Sequence, residues 1–262
     1  MTKRIPGVAA LGAAIVSAMM FASCENGDDN VAPTDALIAS QITGKWKRLI
    51  WSAESEYTNE RTILTFDGDG SGYASFTYMD ADSNRVVCSG EMGYSVHNST
   101  LRYKIPEYQE DSLVCPVLYI NDSTFTTQTT DSDGKTVLGY SIYKKVTNDF
   151  SEKIPGTWQG KVETDTMTLD YRLKFLSSGA MEYYTMDSDS TWAKGSQTDL
   201  HYIIDGDWLA VTYKTAEDGI TLCDCWDILS LTDNSMRMSQ YTLVGTEKKS
   251  RTTQLTKVTS IQ

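Results

Sequence analysis

Residues 42–49 of the chain read ITGKWKRL and residues 154–161 read IPGTWQGK, so a Gly-x-Trp triplet occurs twice. The two tryptophans, Trp46 and Trp158, are 112 positions apart. A chain of 262 residues is long enough for two domains of ordinary size, each with its own core. The recurrence therefore raises the question of whether the whole chain consists of two copies of one unit.

Four further landmarks return in the same order. TILTFDGDGSGY returns as YRLKFLSSGAME, YSVHNSTLRY as YIIDGDWLAV, LYINDSTFTT as LSLTDNSMRM, and YSIYKKV as TTQLTKV. Five landmarks in one order indicate a duplication. We therefore predict two homologous domains, 36–147 and 150–260, joined by a short connection.

Each copy has the pattern of β-strands. Tyr171, Leu173 and Phe175 alternate with polar residues, which is the period of a half-buried strand. Turn dipeptides separate such runs at a spacing of roughly 12 residues, typical of a sandwich or an up-and-down barrel. Only DALIASQ at 35–41 has a helical pattern. The sequence thus predicts an all-β protein with two antiparallel barrels of about eight short strands each.

The repeat also predicts which side chains face inward. An eight-stranded barrel is wide enough either to be filled by side chains or to hold one small ligand, and both alternatives stay open. The predicted inward set is Leu64, Phe66, Tyr94, Val96, Leu101, Tyr103, Leu118, Ile120 and Phe125, with Leu173, Phe175, Tyr202, Ile204, Leu209, Val211, Leu229, Leu231 and Met236 as counterparts.

A short helical lead followed by Gly44-Lys45-Trp46, repeated as Gly156-Thr157-Trp158, resembles the signature that opens the first strand of lipocalins and related calycin barrels. The chain is similar to the tandem lipocalin-like domains of Bacteroidota lipoproteins. The resemblance implies that these glycines and tryptophans close the barrel base. It also implies that a final-strand cation, Lys144, Lys145 or Lys257 here, stacks on the tryptophan.

The first 29 residues have the pattern of a secretory signal. Lys3 and Arg4 precede an apolar segment, and Ala22 and Ser23 precede Cys24. FASC resembles the lipobox of bacterial lipoproteins, which implies a signal peptide over 1–23, an acyl chain on Cys24 and an anchor in the outer membrane. Residues 24–35 have no apolar period and are typical of a flexible tether.

The formal net charge of -12 argues against a nucleic-acid partner, because phosphate binding needs a basic surface. Glu25, Asp28 and Asp29 follow the cysteine, similar to the acidic signal that sends some lipoproteins to the cell surface. Three carboxylates are equally typical of a solvated linker. The face of the membrane, periplasmic or cell-surface, therefore stays open.

Four cysteines remain, and an exported compartment permits disulfides. A bond between Cys88 and Cys115 is one option within the first copy. Cys223 and Cys225, if they lie on a strand, point to one face, and we expect them to be buried as small apolar residues.

TFDGDGSGYASF at 65–76 looks like the start of a calcium loop with Asp67 and Asp69 as ligands. Position twelve is Tyr78 where a Glu should be, so a hairpin turn is the better interpretation and no metal or other cofactor is expected.

The function that these features favour is non-enzymatic binding of a small apolar ligand, or an interaction module, in a membrane-anchored lipoprotein. A packed structural or adhesion-type surface protein with a protein partner is the alternative. Glycan binding is another, since fifteen Tyr and six Trp could form a sugar-stacking face. The tryptophans outside the barrel base, Trp51, Trp192, Trp208 and Trp226, are expected to be scattered at the surface, which needs no such function. A hydrolase lacks support, because no spacing singles out a catalytic pair.

Overall fold

The computed structural model describes residues 31–51, 61–79, 82, 84–106, 111–130, 136–163, 168–217, 219–244 and 247–259. The predicted signal peptide, Cys24 and the first part of the tether lie outside the described residues. Among the helices that the structure describes, none is long and apolar enough to cross a membrane.

The described residues form one helix and seventeen strands, so the prediction of an all-β protein is confirmed. The first copy contains α1 (Asp35–Ile42), β1 (Gly44–Trp51), β2 (Thr62–Phe66), β3 (Ser71–Met79), β4 (Arg85–His97), β5 (Thr100–Lys104), β6 (Leu113–Ile120), β7 (Thr124–Thr130) and β8 (Val137–Lys145). The second contains β9 (Gly156–Glu163), β10 (Thr168–Phe175), β11 (Met181–Met186), β12 (Trp192–Lys194), β13 (Thr198–Asp205), β14 (Trp208–Lys214), β15 (Thr221–Leu231), β16 (Ser235–Val244) and β17 (Glu247–Val258).

Strands β1 to β8 form a closed up-and-down barrel in which neighbours in sequence are neighbours in space. The barrel closes where β1 pairs antiparallel with β8, with Trp46 opposite Lys145. Helix α1 leads into it: the Thr34 hydroxyl accepts a hydrogen bond from Leu37 N–H at 3.3 Å, which caps the helix, and Ile38 is buried.

The second copy is a nine-stranded antiparallel sheet in the order β12-β11-β10-β9-β17-β16-β15-β14-β13. The short strand β12 is one more than the eight predicted, and it pairs with β11. Between β11 and β13 the sheet is joined at one end only, by a bridge between Ala180 and His201 and by a hydrogen bond from Tyr202 N–H to Gly179 C=O at 2.8 Å. This sheet is therefore curled like a barrel.

The chain divides into two compact units that do not follow the repeat boundary. Of the described residues, the first unit comprises those within 31–54, Thr65–Tyr73 and Glu91–Lys145. The second comprises those within 61–64, Ala74–Gly90 and 146–259, so it contains the whole second sheet together with parts of β2, β3 and β4.

Within this second unit the outer face of β14 and β15 is covered. Trp208, Ala210, Cys223 and Cys225 are at most 2% exposed and pack with Ile63, and Val87 lies against the cluster. The two thiols are 3.8 Å apart on one face of β15, as predicted for alternate residues of a strand. Nearby, Arg61 and Asp227 form a buried ion pair at 3.5 Å. Trp208, expected at the surface, is instead one of the best-buried side chains because this face is not solvated.

A β-bulge corrects the predicted inward set at one position of each copy. The register shifts between Val117 and Tyr119 in β6 and between Ile228 and Ser230 in β15. An extra residue reverses the faces that follow it. Val117 and Ile228, which precede the bulges, and Ile120 and Leu231, which follow them, are therefore all buried. Leu118 is half-buried and Leu229 is 46% exposed, although both were expected to face inward.

Candidate ligand pocket

The base of each barrel is built from its Gly-x-Trp triplet. Trp46 and Trp158 are fully buried, and each indole N–H donates a hydrogen bond to the carbonyl four residues earlier, at 2.6 Å for Ile42 and 2.8 Å for Ile154. A buried indole needs such a partner, so the polar atom is satisfied while the ring fills the base.

A lysine of the last strand covers each of these rings. Nζ of Lys145 lies 5.0 Å from the Trp46 ring centre, and Nζ of Lys257 lies 5.1 Å from that of Trp158. Gly156 has φ +138°, and a Cβ there would lie 2.5 Å from the Lys257 side chain. The glycine is thus required both by its backbone conformation and by the lysine beside it.

An aromatic pair recurs with the same geometry above both bases. Phe66 and Tyr94 have ring centres 4.9 Å apart at 81°, and Phe175 and Tyr202 have the same separation and angle. The Tyr202 hydroxyl donates to Leu176 C=O at 2.8 Å, and the Tyr94 hydroxyl donates to Asp67 C=O. The two copies therefore share their base in atomic detail.

The copies differ in the interior above the base. In the first, Phe125 stacks on Tyr143 at 4.2 Å between ring centres and makes an edge contact with Trp46 at 4.9 Å. Tyr103 is also buried there, and burial raises the pKa of its hydroxyl well above the usual value. Large aromatic rings thus occupy this interior.

The repeat places smaller side chains at the three equivalent positions of the second copy. Tyr103 corresponds to Val211, Phe125 to Met236 and Tyr143 to Leu255. Replacing three rings by aliphatic groups removes volume that a close-packed interior would otherwise contain.

A cavity of about 300 Å³ lies on the inner face of the second sheet. Leu173, Val211, Trp226 and Met238 are among the apolar residues that line it. They face inward because alternate residues of a strand point to one face: in β14, Leu209 and Val211 are buried against this interior, while Trp208 and Ala210 pack on the other side. The prediction left open whether the barrels are filled, and the second one contains a pocket.

The upper part of the pocket is polar. The hydroxyl of Tyr213 donates to Asp224 at 3.3 Å, and Nε2 of Gln240 donates to the other carboxylate oxygen at 3.4 Å. Burial raises the pKa of the Asp224 carboxyl, and burial together with the Asp224 charge raises the pKa of Tyr213 to about 12. Two neutral donors thus hold the carboxyl in place.

Two further polar residues, Gln197 and Arg251, line the pocket. The Gln197 side-chain oxygen is buried and accepts no hydrogen bond from the part of the chain that the structure describes. Arg251 lies on β17, two and four residues before the buried Thr253 and Leu255, so its side chain is on the inner face. No carboxylate among the side chains that the structure describes forms an ion pair with Arg251.

The calcium-loop candidates Asp67 and Asp69 lie in the β2–β3 turn, away from the pocket residues in sequence. The Asp69 carboxylate accepts hydrogen bonds from the Ser71 backbone N–H at 2.9 Å and from its hydroxyl at 2.6 Å, and these bonds lower its pKa. Gly70 has φ +91°, which suits a tight turn. Among the described residues, no cluster of three or more His, Cys, Asp and Glu side chains could hold a metal.

The disulfide between Cys88 and Cys115 is not formed, since both are free thiols. Cys115 lies on β6 opposite Leu101 of β5, and β4, which carries Cys88, is the next strand beyond β5. Alternate strands of a sheet are about 9.5 Å apart, beyond the roughly 7 Å that a disulfide can join.

Several pocket residues were not predicted from the sequence. The sequence places Trp226 among the surface aromatics and does not distinguish Tyr213, Asp224 and Arg251 from other residues of their strands. The sequence feature that could have identified them is their alternation with residues of the opposite face. Asp224, for example, lies between Cys223 and Cys225 in β15. This alternation was ambiguous because both faces of β15 are buried.

No protein-family model and no curated protein sequence matches the chain. Solved structures of transferrin binding protein B resemble it weakly. A single mutant of this vaccine antigen from Haemophilus parasuis Hp5 is 11% identical, with 76% of this chain and 53% of that chain covered and a TM-score of 0.22. A double mutant of the same antigen is 11% identical, with coverages of 82% and 58% and a TM-score of 0.22.

The intact N and C lobes of Ap-TbpB are 9% identical, with coverages of 76% and 54% and a TM-score of 0.20. The chain thus spans a little over half the length of the solved structures that it matches. A likeness this weak transfers neither a partner nor a site.

Proposed function

We propose that the protein binds a small, mainly apolar molecule in the pocket of the second sheet and is not an enzyme. The observation that carries this proposal is the cavity of about 300 Å³ with apolar walls. Ligand pockets range from about 300 to 1,000 Å³, so this one suits a single small molecule.

The apolar walls supply the binding energy. Burying a methylene group contributes about 0.8 kcal/mol, so eight of them contribute about 6 kcal/mol. This corresponds to a dissociation constant on the order of tens of micromolar. We therefore expect modest affinity that grows with the length of an apolar chain.

The chemistry of the lining supports binding rather than catalysis. Asp224 is the one carboxylate among the described lining residues, whereas glycoside hydrolysis commonly uses two. His97 and His201 are both exposed, and neither is among the described residues that line the pocket.

The experiment that tests the proposal is a titration with the apolar fluorophore N-phenyl-1-naphthylamine. The protein used for the titration is the mature chain with the substitution Cys24→Ser, so that no acyl chain on residue 24 competes with the fluorophore for the pocket. We expect saturable fluorescence enhancement at one site, together with a change in tryptophan emission, because Trp226 lines the pocket. Absence of saturable binding by this probe and by decanol would contradict the proposal and would favour a structural or adhesion-type protein.

A lipid anchor completes the proposed function. We propose that the thiol of Cys24 is acylated after cleavage of residues 1–23 and holds the protein at the outer membrane. What supports this is the FASC sequence at 21–24 after a charged start and an apolar segment. A polar tether follows, which would separate the sheets from the bilayer.

Cys24→Ser is expected to move the protein from the membrane fraction to the soluble exported fraction and to abolish incorporation of radiolabelled palmitate. An acyl anchor contributes about 0.8 kcal/mol per buried methylene, so its loss removes membrane binding. Cys88→Ser serves as the control, because it removes a half-buried thiol and leaves position 24 intact. Labelling that persists in Cys24→Ser would contradict an anchor at this residue.

A further inference from the structure

We infer that the ligand is a single-chain amphiphile with a negatively charged head group, whose apolar chain lies in the pocket and whose head group binds Arg251. This inference rests on the proposed function and adds the chemical class of the ligand. It follows from how polar and apolar groups are distributed along the barrel.

The strand registers order the pocket into levels. In β17, Leu255, Thr253 and Arg251 pair with Met236, Met238 and Gln240 of β16. The first level is apolar and adjoins the Trp158 base, since Lys257 pairs with Trp158. Successive levels become more polar toward Arg251.

The neighbouring strands show the same order. In β14, Leu209, Val211 and Tyr213 follow one another at alternate positions, and Val211 pairs with Asp224 of β15. The pocket therefore has an apolar lower part and a polar upper part, which is the distribution that a molecule with an apolar body and a polar head requires.

Arg251 indicates that the head group of the ligand carries a negative charge. Its guanidinium is always charged and has five N–H donors. It forms no ion pair with the side chains that the structure describes. A carboxylate can accept two of these N–H donors at once, so it is the group that this side chain binds best.

Asp224 does not demand a cationic head group in the same way. Its two carboxylate oxygens already accept hydrogen bonds from Tyr213 and Gln240. Among the described residues of the lining, the buried Gln197 oxygen has no hydrogen-bond partner, and the Arg251 side chain, which is exposed to solvent, forms no ion pair. The positive charge and the N–H donors of Arg251 thus favour an anionic acceptor on the ligand, and the Gln197 oxygen, itself an acceptor, does not contribute to this preference.

The volume limits the apolar part. A cavity of about 300 Å³ lies at the lower end of the range for ligand pockets. One chain of about ten carbons suits it better than the two chains of a phospholipid. The ligand class is therefore a medium-chain carboxylate of the fatty-acid type.

The test compares three ligands with the same chain and different heads: decanoate, decanol and decylamine. Each displaces N-phenyl-1-naphthylamine from the Cys24→Ser protein at neutral pH. We expect decanoate to bind about tenfold more tightly than decanol, since hydrogen bonds to charged groups are the strong ones. We expect decylamine to bind most weakly.

Arg251→Gln is expected to remove the preference for decanoate and to leave decanol binding unchanged. Arg251→Lys keeps the charge without the planar fork, so it should retain part of the preference. The matched control is Arg237→Gln, which removes a positive charge from an exposed position between the buried Met236 and Met238. This control substitution should change neither the affinity for decanoate nor the affinity for decanol.

The outcomes separate the two proposals. Equal affinities for decanoate and decanol, or an Arg251→Gln protein that keeps the preference, would overturn the anionic head group while leaving the pocket in place. Tightest binding of decylamine would overturn it in favour of a cation at Asp224. If neither the probe nor any of the three ligands binds, the proposed function itself fails.

Discussion

Trp158→Ala is expected to destabilise the second sheet by about 3–5 kcal/mol, the cost of removing a large buried aromatic side chain. Trp158 is fully buried at the base, its N–H is bonded to Ile154, and Lys257 lies over its ring. The substitution leaves a cavity, an unpartnered carbonyl and an uncovered lysine together. Urea unfolding, followed by circular dichroism and by loss of probe binding, measures the effect.

Trp192→Ala is the matched control for this prediction. Trp192 is half-buried on β12, and Arg172 lies 3.9 Å from its ring centre. Loss of one such cation–π contact costs about 0.5–1 kcal/mol at an exposed site. If both tryptophan substitutions cost the same, Trp158 would not be the base of a cooperative barrel.

Val211→Tyr is expected to weaken binding of an apolar ligand by at least about tenfold, because its ring occupies the pocket. The substitution gives the second copy the residue that the first copy has at the equivalent position, Tyr103. Overpacking costs about 1–3 kcal/mol at most sites, but here the cavity accepts the ring, so stability should change little. Probe titration and thermal unfolding measure the two effects.

Ile203→Tyr provides the control, since Ile203 is 41% exposed on the neighbouring strand β13 and points away from the pocket. The same aliphatic-to-tyrosine change there should leave the probe affinity unchanged. Unchanged affinity in a well-folded Val211→Tyr protein would place the ligand elsewhere.

The sequence contained enough information for the strands and for the barrel base. Gly44, Trp46, Gly156 and Trp158 recur at one spacing because each glycine must adopt a positive φ beside a lysine of the last strand. The alternation in β14 and β15 likewise predicted Leu209, Val211 and the paired thiols of Cys223 and Cys225 on their correct faces.

The errors have two physical origins, a contact between residues distant in sequence and a β-bulge. Trp208 is buried because Ile63 and Val87 cover the outer face of β14, which no local pattern reveals. Leu229 is exposed because a one-residue bulge reverses the faces of β15. A bulge leaves composition unchanged, so periodicity alone does not place it.

The pocket could be predicted only in part. The change from Tyr103, Phe125 and Tyr143 to Val211, Met236 and Leu255 was visible in the repeat. Whether the lost volume becomes a cavity depends on how closely the strands approach one another, including the added edge strand β12 beside β11. The sequence did not indicate that Arg251 lines a pocket, because this residue follows a run of charged residues typical of a solvated strand.

Methyl NMR with decanoate is the most direct test of the account, because it reports where the ligand lies. With Leu, Ile and Val methyl groups labelled in the Cys24→Ser protein, we predict saturable shift changes at Leu173, Leu200 and Val211, which line the pocket. Leu64 and Leu101, which are buried in the aromatic-packed first barrel, should not shift. Shifts confined to the first barrel, or no shifts at saturating ligand, would contradict a ligand-binding second sheet.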